Sequence, residues 1–297
     1  MSDAIRVTAR RGGIVESAHR VHAVAVQDGA VVAEAGDGAL VTFMRSAAKP
    51  LQALPLAVAR DDLESEQIAI ASASHLAAEE QLEAVRSLLA LARAHEDELE
   101  CGPPPGGPPR RILHNCSGKH AGMLALCRTR AWPSVGYRLA EHPLQRELLA
   151  GLADAAEIPA DGIGTAVDGC GVVTFALPLE RMAFVFSRLE RLEGGAKVAA
   201  AMRAHPTLIR GEGAPDTLLM QKLAGWTAKG GAEGLHCALG PGGLGIAMKV
   251  EDGNQRAVKP ALVAFLSVLG FELEELARPP LLNSRGERVG ELAAEPL

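Results

Sequence analysis

The sequence predicts an α+β protein in which the two chain ends form one antiparallel sheet and the middle forms a mostly helical lobe. Strand patterns with short turns lie near the N-terminus and again after residue 226, and helical spacing of Leu, Val and Ala dominates between them. Apolar residues make up 48% of the 297-residue chain, enough for one large domain. We predict a single domain with a sheet lobe (about 1–60 and 227–297), a helical lobe (about 61–226) and a site where the lobes meet.

The first strand pair is predicted by the dipeptide Asp28-Gly29 between two apolar runs, 21–26 and 30–35. Asp-Gly favours a two-residue hairpin because both residues tolerate positive φ. A third strand is predicted at 40–43. The short apolar run 67–73 fits either a strand or a buried connection.

Helices are predicted where apolar residues recur three and four positions apart. The Pro/Gly-rich stretch 101–111 interrupts them, and we interpret it as an extended surface loop. The spacing of apolar residues changes after residue 228, and the new spacing predicts strands at 229–239 and 244–250. The predicted helices cover 51–59, 79–94, 120–130, 142–156, 172–188, 198–205, 215–225 and 260–269.

Composition excludes several classes of protein. The net charge of -6 and the absence of a long basic run argue against nucleic-acid binding. No run of 18 apolar residues predicts a membrane span. Residues 1–11 have no apolar signal region, so we expect a cytoplasmic protein. The five cysteines are odd in number and widely spread, which favours thiols or metal ligands over disulfides.

Ser46-x-x-Lys49 stands where a predicted strand passes into a predicted helix. With Ser46 as the N-cap, Lys49 would lie one turn further on the same helical face. A neutral lysine can take the proton of a serine hydroxyl, and the free N–H groups of a helix start favour the negative charge that develops in acyl transfer. An ordinary capped helix with a surface lysine would have the same pattern.

Lysine is scarce in this chain, and three of the seven lysines stand beside Ser, Cys or Gly: Lys49, Lys119 and Lys229. Unlike arginine, lysine can lose its proton in a protein. Lys229-x-Gly231 is predicted to begin a strand, where the glycine would leave the strand edge open to a substrate. A surface lysine in a Gly-rich loop is the alternative. Ser74 ends a buried run and is either a second reactive hydroxyl or a buried serine bonded to the backbone.

Cys116 and Cys170 lie in two predicted turns, with His114, Lys119, His120 and Asp168 near them in sequence. Thiolates and nitrogen donors suit zinc. Their spacing is not that of a zinc finger, so free structural cysteines are equally open from the residues alone.

Six blocks, in this order along the chain, resemble the bacterial asparaginase II family, the group typified by rhizobial L-asparaginases. The resemblance implies hydrolysis of L-asparagine to L-aspartate and ammonia. It also implies a fold like that of serine beta-lactamases, penicillin-binding proteins and glutaminases. The blocks are FMRSAAKPLQALPL (43–56), IASASH (70–75), LHNCSGKHAGMLALC (113–127), VDGCGVVTFALPL (167–179), AKGGAEG (228–234) and GLGIAMKVEDG (243–253).

The resemblance implies two Ser–Lys pairs, Ser46 with Lys49 and Ser74 with Lys229, with Lys249 as the second choice for the latter lysine. In the mechanism that we expect, Lys49 is kept neutral by burial and by Lys229 and takes the proton of Ser46, which attacks the side-chain amide carbon. Ammonia then leaves on the Ser74–Lys229 side, and water hydrolyses the ester. Ser74 as the nucleophile and Ser46 as the relay is the alternative.

The resemblance further implies an auxiliary zinc ion held by Cys116, Lys119 and Cys170, with a water as fourth ligand, and a homodimer. For the substrate, Arg45 is matched by charge to the α-carboxylate and Asp168 to the α-ammonium, and His120 is a further candidate contact.

Other functions stay open from the sequence. The chain could be a glutaminase or another serine amidase on the same scaffold, or a non-catalytic zinc-containing binding protein. It departs from the family in its short length, in Leu76 after Ser74-His75 and in the Pro-rich insert 103–109. These differences affect the expected substrate preference more than the reaction type.

Overall fold

The computed structural model of the protein describes residues 3–296, and it contains helices and strands in the mixture that the sequence predicts. The strands are β1 (Ile5–Arg11), β2 (Ile14–Gln27), β3 (Ala30–Ala35), β4 (Val41–Phe43), β5 (Gly164–Val167), β6 (Val173–Pro178), β7 (Thr227–Gly230), β8 (Leu235–Gly240), β9 (Leu244–Val250), β10 (Pro280–Leu282) and β11 (Arg288–Ala294). The α-helices are α1 (Lys49–Ala59), α2 (Ser65–Ala71), α3 (Glu79–Leu91), α4 (Ser117–Thr129), α5 (Pro143–Ala156), α6 (Leu179–Ser187), α7 (Gly195–Ala204), α8 (Pro206–Ile209), α9 (Pro215–Lys222) and α10 (Val258–Val268).

The main sheet draws its strands from both chain ends and is antiparallel at every strand pair described, which confirms the predicted fold class. Its order is β10-β11-β1-β2-β9-β8-β7, with β3 also paired to β2. Strand β2 joins the two chain ends, because it pairs with β1 on one side and with β9 on the other. The predicted hairpin turn is confirmed, with φ of 49° at Asp28 and 80° at Gly29.

Helix α10 packs against β1 and β11 of the main sheet, helix α6 against β9 and β2, and helix α9 against the edge strand β7. Helix α6 passes so close to β9 that a Cβ at Gly245 would lie 2.0 Å from the carbonyl oxygen of Ala183. A glycine is therefore required at that crossing. Helix α6 and strands β5 and β6 come from residues that the sequence assigned to the helical lobe.

A second, three-stranded sheet has the order β4-β6-β5 and was not predicted. Residues 172–188, predicted as one helix, form β6 followed by α6. Most of the run 67–73 lies in helix α2, which ends at Ala71. The helix starts after Glu64, whose side chain and that of Gln67 form a capping box. The predicted strand 229–239 is two strands, β7 and β8, separated by a turn. Short apolar runs do not distinguish strands from buried helices, which explains these errors.

The core is rich in Ala, Leu and Val side chains and extends from the main sheet through the helices. Between residues 3 and 296, no helix has both the length and the apolar character that crossing a bilayer would require.

Candidate active site

The turn that carries Ser46 is held in place by the second sheet. The Met44 N–H donates to Phe175 O at 2.8 Å, and the Arg45 N–H donates to Thr174 Oγ1 at 3.2 Å. Arg45 has a φ of 48°, a left-handed conformation that is uncommon for a residue with a side chain. The chain therefore turns sharply at Arg45, immediately before Ser46.

Ser46 is not the N-cap of the helix, so that prediction is wrong. Arg45–Ala48 form a 3-10 turn, and α1 begins only at Lys49. Ser46 still lies one turn before Lys49, since its carbonyl oxygen accepts the Lys49 N–H. The Ser46 side chain lies at the surface of the site and is half-buried.

Lys49 is bonded to Ser74 in this structure. Its Nζ donates to Ser74 Oγ at 2.9 Å and to Ala73 O at 2.5 Å. Both side chains are almost wholly buried, with exposures of 0% for Lys49 and 1% for Ser74. The sequence paired Ser74 with Lys229, but the hydrogen bond described here joins Ser74 to the lysine of α1.

Burial is the largest influence on the charge of Lys49 and lowers its pKa. The neighbouring Cys116 raises the pKa, and the positive charge of Lys119 lowers it again. The positive charge of Lys119 thus adds to burial in lowering the pKa of Lys49, and the same role for Lys229 stays a prediction.

Lys229 is a second fully buried amine, on strand β7. Its Nζ donates to Gly230 O at 2.7 Å and lies 3.6 Å from Asp216 Oδ2. Burial lowers the pKa of Lys229 to about 7, although the carboxylate of Asp216 opposes the change, and the charge of Lys49 lowers it further. Lys229 therefore changes its charge near neutral pH.

Asp216, at the start of α9, was missed by the sequence analysis, because an aspartate in the first turn of a helix is common. It is 2% exposed, and its Oδ2 accepts the Gly230 N–H at 2.7 Å. His236 Nε2 lies 3.6 Å from its other oxygen. Burial raises the pKa of Asp216, but Lys229 and His236 lower it by more, to about 2. The side chain is thus a buried carboxylate beside Lys229.

Gly231 does not leave the strand edge open, as the sequence suggested. A Cβ at Gly231 would lie 2.7 Å from the carbonyl oxygen of Met44. The glycine instead lets β7 approach the turn that carries Ser46. The Lys-x-Gly pattern therefore brings Lys229 towards the Ser46 turn.

The two cysteines singled out in the sequence lie together beside these lysines. Lys119 Nζ donates to Cys170 Sγ at 3.0 Å, and Cys170 Sγ lies 3.8 Å from Asp168 Oδ2. A hydrogen bond from Cys170 and the charges of Lys49 and Lys119 lower the pKa of Cys116 well below its ordinary value, against the effect of burial. The same bond and burial raise the pKa of Cys170. Cys116 is therefore the thiolate of the pair.

The arrangement joins five separate chain segments into one cluster of two serine hydroxyls, three lysines and two cysteines. The sequence model of the L-asparaginase II family matches residues 7–294. The chain belongs to the L-asparaginase II family. Among curated protein sequences no relative matches it.

Among solved structures, the chain is similar to one described as a beta-lactamase from Desulfarculus baarsii DSM 2075. It is 16% identical, with a TM-score of 0.37 over 78% of this chain and 82% of that chain. A similarity of this size says nothing about individual residues in this asparaginase II-family protein.

The residues of the predicted zinc site fit zinc by their donor chemistry. Cys116 supplies a thiolate, Cys170 a second sulfur and Lys119 a nitrogen that already contacts that sulfur. Burial lowers the pKa of Lys119, but Cys170 and Cys116 raise it by more, to about 12, so the amine must lose a proton before it binds a metal. Within residues 3–296, no three His, Cys, Asp or Glu side chains are gathered around a possible metal position. That statement covers four residue types and does not include Lys119.

The three predicted substrate contacts differ in whether their polar atoms already have hydrogen-bond partners within the protein. Arg45 Nε donates to Asp168 Oδ1 at 2.5 Å, so these two side chains are paired with each other. His120 Nδ1 faces the hydroxyl of Tyr137 at 2.8 Å, and that hydroxyl accepts the Glu100 N–H. The other ring nitrogen of His120, Nε2, is buried and has no partner among residues 3–296.

The helices that position Ser74 and Cys116 are in direct backbone contact. A Cβ at Gly118 of α4 would lie 2.2 Å from Ile70 O of α2. His75 Nε2 donates to Ser117 Oγ at 2.8 Å, and Ser117 Oγ donates to Ile112 O. Burial lowers the pKa of His75 to about 4, so it is a neutral link between the two segments.

Proposed function

We propose that the protein hydrolyses L-asparagine to L-aspartate and ammonia through a serine ester. The family supports an amidohydrolase of this type. The observation that carries the mechanism is the fully buried Lys49, hydrogen-bonded to Ser74 and one turn from the half-buried Ser46. A serine and a lysine of lowered pKa are together sufficient for base-assisted nucleophilic attack.

The hydrogen bonds of Lys49 suit a base. A neutral lysine amine has two hydrogens and one lone pair. Lys49 Nζ has two described acceptors, Ala73 O and Ser74 Oγ. Both hydrogens are then engaged, and the lone pair is left to accept a proton.

Ser46 is the proposed nucleophile because it is half-buried and within a substrate's reach, whereas Ser74 is 1% exposed. Lys49 takes the Ser46 proton, and Ser46 Oγ forms a bond to the side-chain amide carbon of asparagine. The negative charge moves to the carbonyl oxygen, where the Ser46 N–H is the proposed donor.

Ser74 is the proposed relay. Because its Oγ accepts a hydrogen from Lys49, it has its own hydrogen to give. Protonated Lys49 returns the proton through Ser74 to the amide nitrogen, the C–N bond breaks, and ammonia leaves. Water attacks the ester with Lys49 again as base, which releases L-aspartate and restores Ser46.

We assign to Lys229 the role of influencing, through its own charge, how readily Lys49 takes up a proton. During the reaction Lys49 must become positive, and a second positive charge on Lys229 would oppose that change. Lys229 is therefore most useful when neutral, which its pKa of about 7 permits above neutral pH.

Zinc held by Cys116, Lys119 and Cys170 would neutralise the thiolate charge beside Lys49 and assist substrate binding. His120 Nε2 is the proposed donor to a substrate oxygen, and Asp168 the proposed partner of the α-ammonium. The homodimer and the cytoplasmic location stay predictions.

The test is ammonia release from L-asparagine and, in parallel, L-glutamine, followed by intact-mass analysis of Ser46→Ala and Ser74→Ala. We expect release of ammonia from asparagine, no aspartyl adduct in Ser46→Ala, and slower adduct formation in Ser74→Ala than in wild type, because the amide nitrogen then lacks its proton relay. An adduct in Ser46→Ala would make Ser74 the nucleophile. No ammonia from either amide, with or without zinc, would refute the proposed activity.

A further inference from the structure

Arg210 stands out because its guanidinium donors have no described partner. It is half-buried, and its guanidinium makes no hydrogen bond or ion pair with any group of residues 3–296. Most other arginines close to the core have acceptors, as Arg45 has in Asp168. Buried polar groups normally have hydrogen-bond partners, so a half-buried guanidinium without an acceptor has donors free for a ligand.

The backbone on either side of Arg210 is fixed against the Ser74 segment. The Ser74 N–H donates to Ile209 O at 2.7 Å. Gln81 Nε2 donates to Thr207 O at 2.9 Å. On the other side, a Cβ at Gly211 would lie 2.9 Å from the Leu76 side chain. Arg210 is therefore one residue from a direct contact with Ser74.

The positive charge of Arg210 changes the pKa values of three buried groups of the site. It lowers the pKa of Lys229, of Asp216 and of His236, in each case after larger effects of burial and of nearer charges. All three side chains are buried at the site. The charge of Arg210 therefore acts on buried groups of the site, and its backbone neighbour Ile209 contacts Ser74 directly.

We propose that Arg210 binds the α-carboxylate of the amino-acid substrate. The inference rests on the proposed hydrolysis of asparagine and identifies the specificity contact of that site. A guanidinium presents two parallel N–H donors that match a carboxylate. Arg45, the residue that charge matching favoured, already has its carboxylate in Asp168. Arg210 forms no such pair, and the backbone beside it contacts Ser74.

The test compares L-asparagine with β-alaninamide, which is the same molecule without the α-carboxylate. In Arg210→Ala we expect kcat/KM for asparagine to fall about 10- to 100-fold, mostly through KM, because charge-assisted hydrogen bonds are lost. Turnover of β-alaninamide should change less than about threefold. Arg210→Lys, which keeps the charge without the paired donors, should lie between. Arg86→Ala, an exposed arginine on α3, is the matched control and should behave as wild type.

Equal losses on both substrates in Arg210→Ala would overturn the proposal, as would loss of the carboxylate preference in Arg45→Ala instead. Calorimetric binding of L-aspartate and β-alanine separates this inference from the proposed activity. If wild type releases no ammonia but prefers L-aspartate, and Arg210→Ala loses that preference, the activity fails and the carboxylate contact stands. An unchanged preference in Arg210→Ala refutes the contact whatever the activity.

Discussion

Replacing Asp216 by Asn should make the enzyme work at lower pH. The substitution keeps the shape of the side chain and an acceptor for the Gly230 N–H, and it removes a negative charge 3.6 Å from Lys229 Nζ. The charge of Asp216 is what raises the pKa of Lys229 against burial. In Asp216→Asn, that pKa must therefore fall below about 7.

The size of the pKa change follows from the separation of the charges. Coulomb's law at 3.6 Å with an effective dielectric constant of about 20 gives roughly 4–5 kcal/mol, or about 3 pKa units. This is an upper bound, since water entry and rearrangement reduce it. We expect the pKa of Lys229 to fall by about 1–3.

Activity should follow the neutral form of Lys229, because a positive Lys229 opposes protonation of Lys49. In wild type, kcat/KM for asparagine should rise through an acid limb near pH 7. In Asp216→Asn the limb should move down by about 1–3 pH units, so that activity at pH 6 approaches its plateau.

Stability gives a second measurement of the same change in pKa. Lys229 has a folded pKa of about 7 against an ordinary value of 10.5, so between these values the unfolded state binds more protons and stability rises with pH. Below pH 7 the cost of a buried charged lysine is fully present. In Asp216→Asn the rise should begin at a lower pH. The difference in stability between pH 5 and pH 8 should then grow by about 1.4 kcal/mol each time the pKa of Lys229 falls by one, until that pKa reaches about 5.

The assays are the pH profile of kcat/KM and urea unfolding at several pH values, with exposed Asp154→Asn on α5 as the matched control. An acid limb at the same pH in wild type and Asp216→Asn would refute the role of Lys229 charge. A limb that moves to higher pH would refute the electrostatic argument itself.

Three further results are expected. Gly118→Ala should lower the free energy of unfolding by at least about 2 kcal/mol, because its Cβ would lie 2.2 Å from Ile70 O; Gly151→Ala, which meets nothing within 4 Å, should instead gain about 0.5–1 kcal/mol by helix propensity. Lys49→Met should abolish ammonia release yet raise or preserve the unfolding free energy, most at acid pH, since it removes a buried amine of lowered pKa; a strongly destabilised variant would contradict this. Cys170→Ser should lose bound zinc in metal analysis, and retention of the metal at wild-type occupancy would exclude the proposed ligand set.

The sequence by itself determined the class of the fold and the chemistry of the site. Asp28-Gly29 between two apolar runs fixed the first hairpin, since few residue pairs tolerate two positive φ angles. The six motif blocks identified the family, and the sequence model matches residues 7–294. The scarcity of lysine singled out Lys49, Lys119 and Lys229, which the fold brings into one buried region.

Tertiary structure alone decided which of these groups meet. A pattern such as Ser-x-x-Lys reports spacing along a helix, but the partner of Lys49 is Ser74, on a segment that reaches it only by packing of α2 against α1. The sequence suggested that Gly231 leaves a strand edge open, whereas in the structure Gly231 packs closely against the carbonyl oxygen of Met44. Asp216 and Arg210 carry no local signal, because the effect of a charge depends on burial and on distances between elements far apart in sequence.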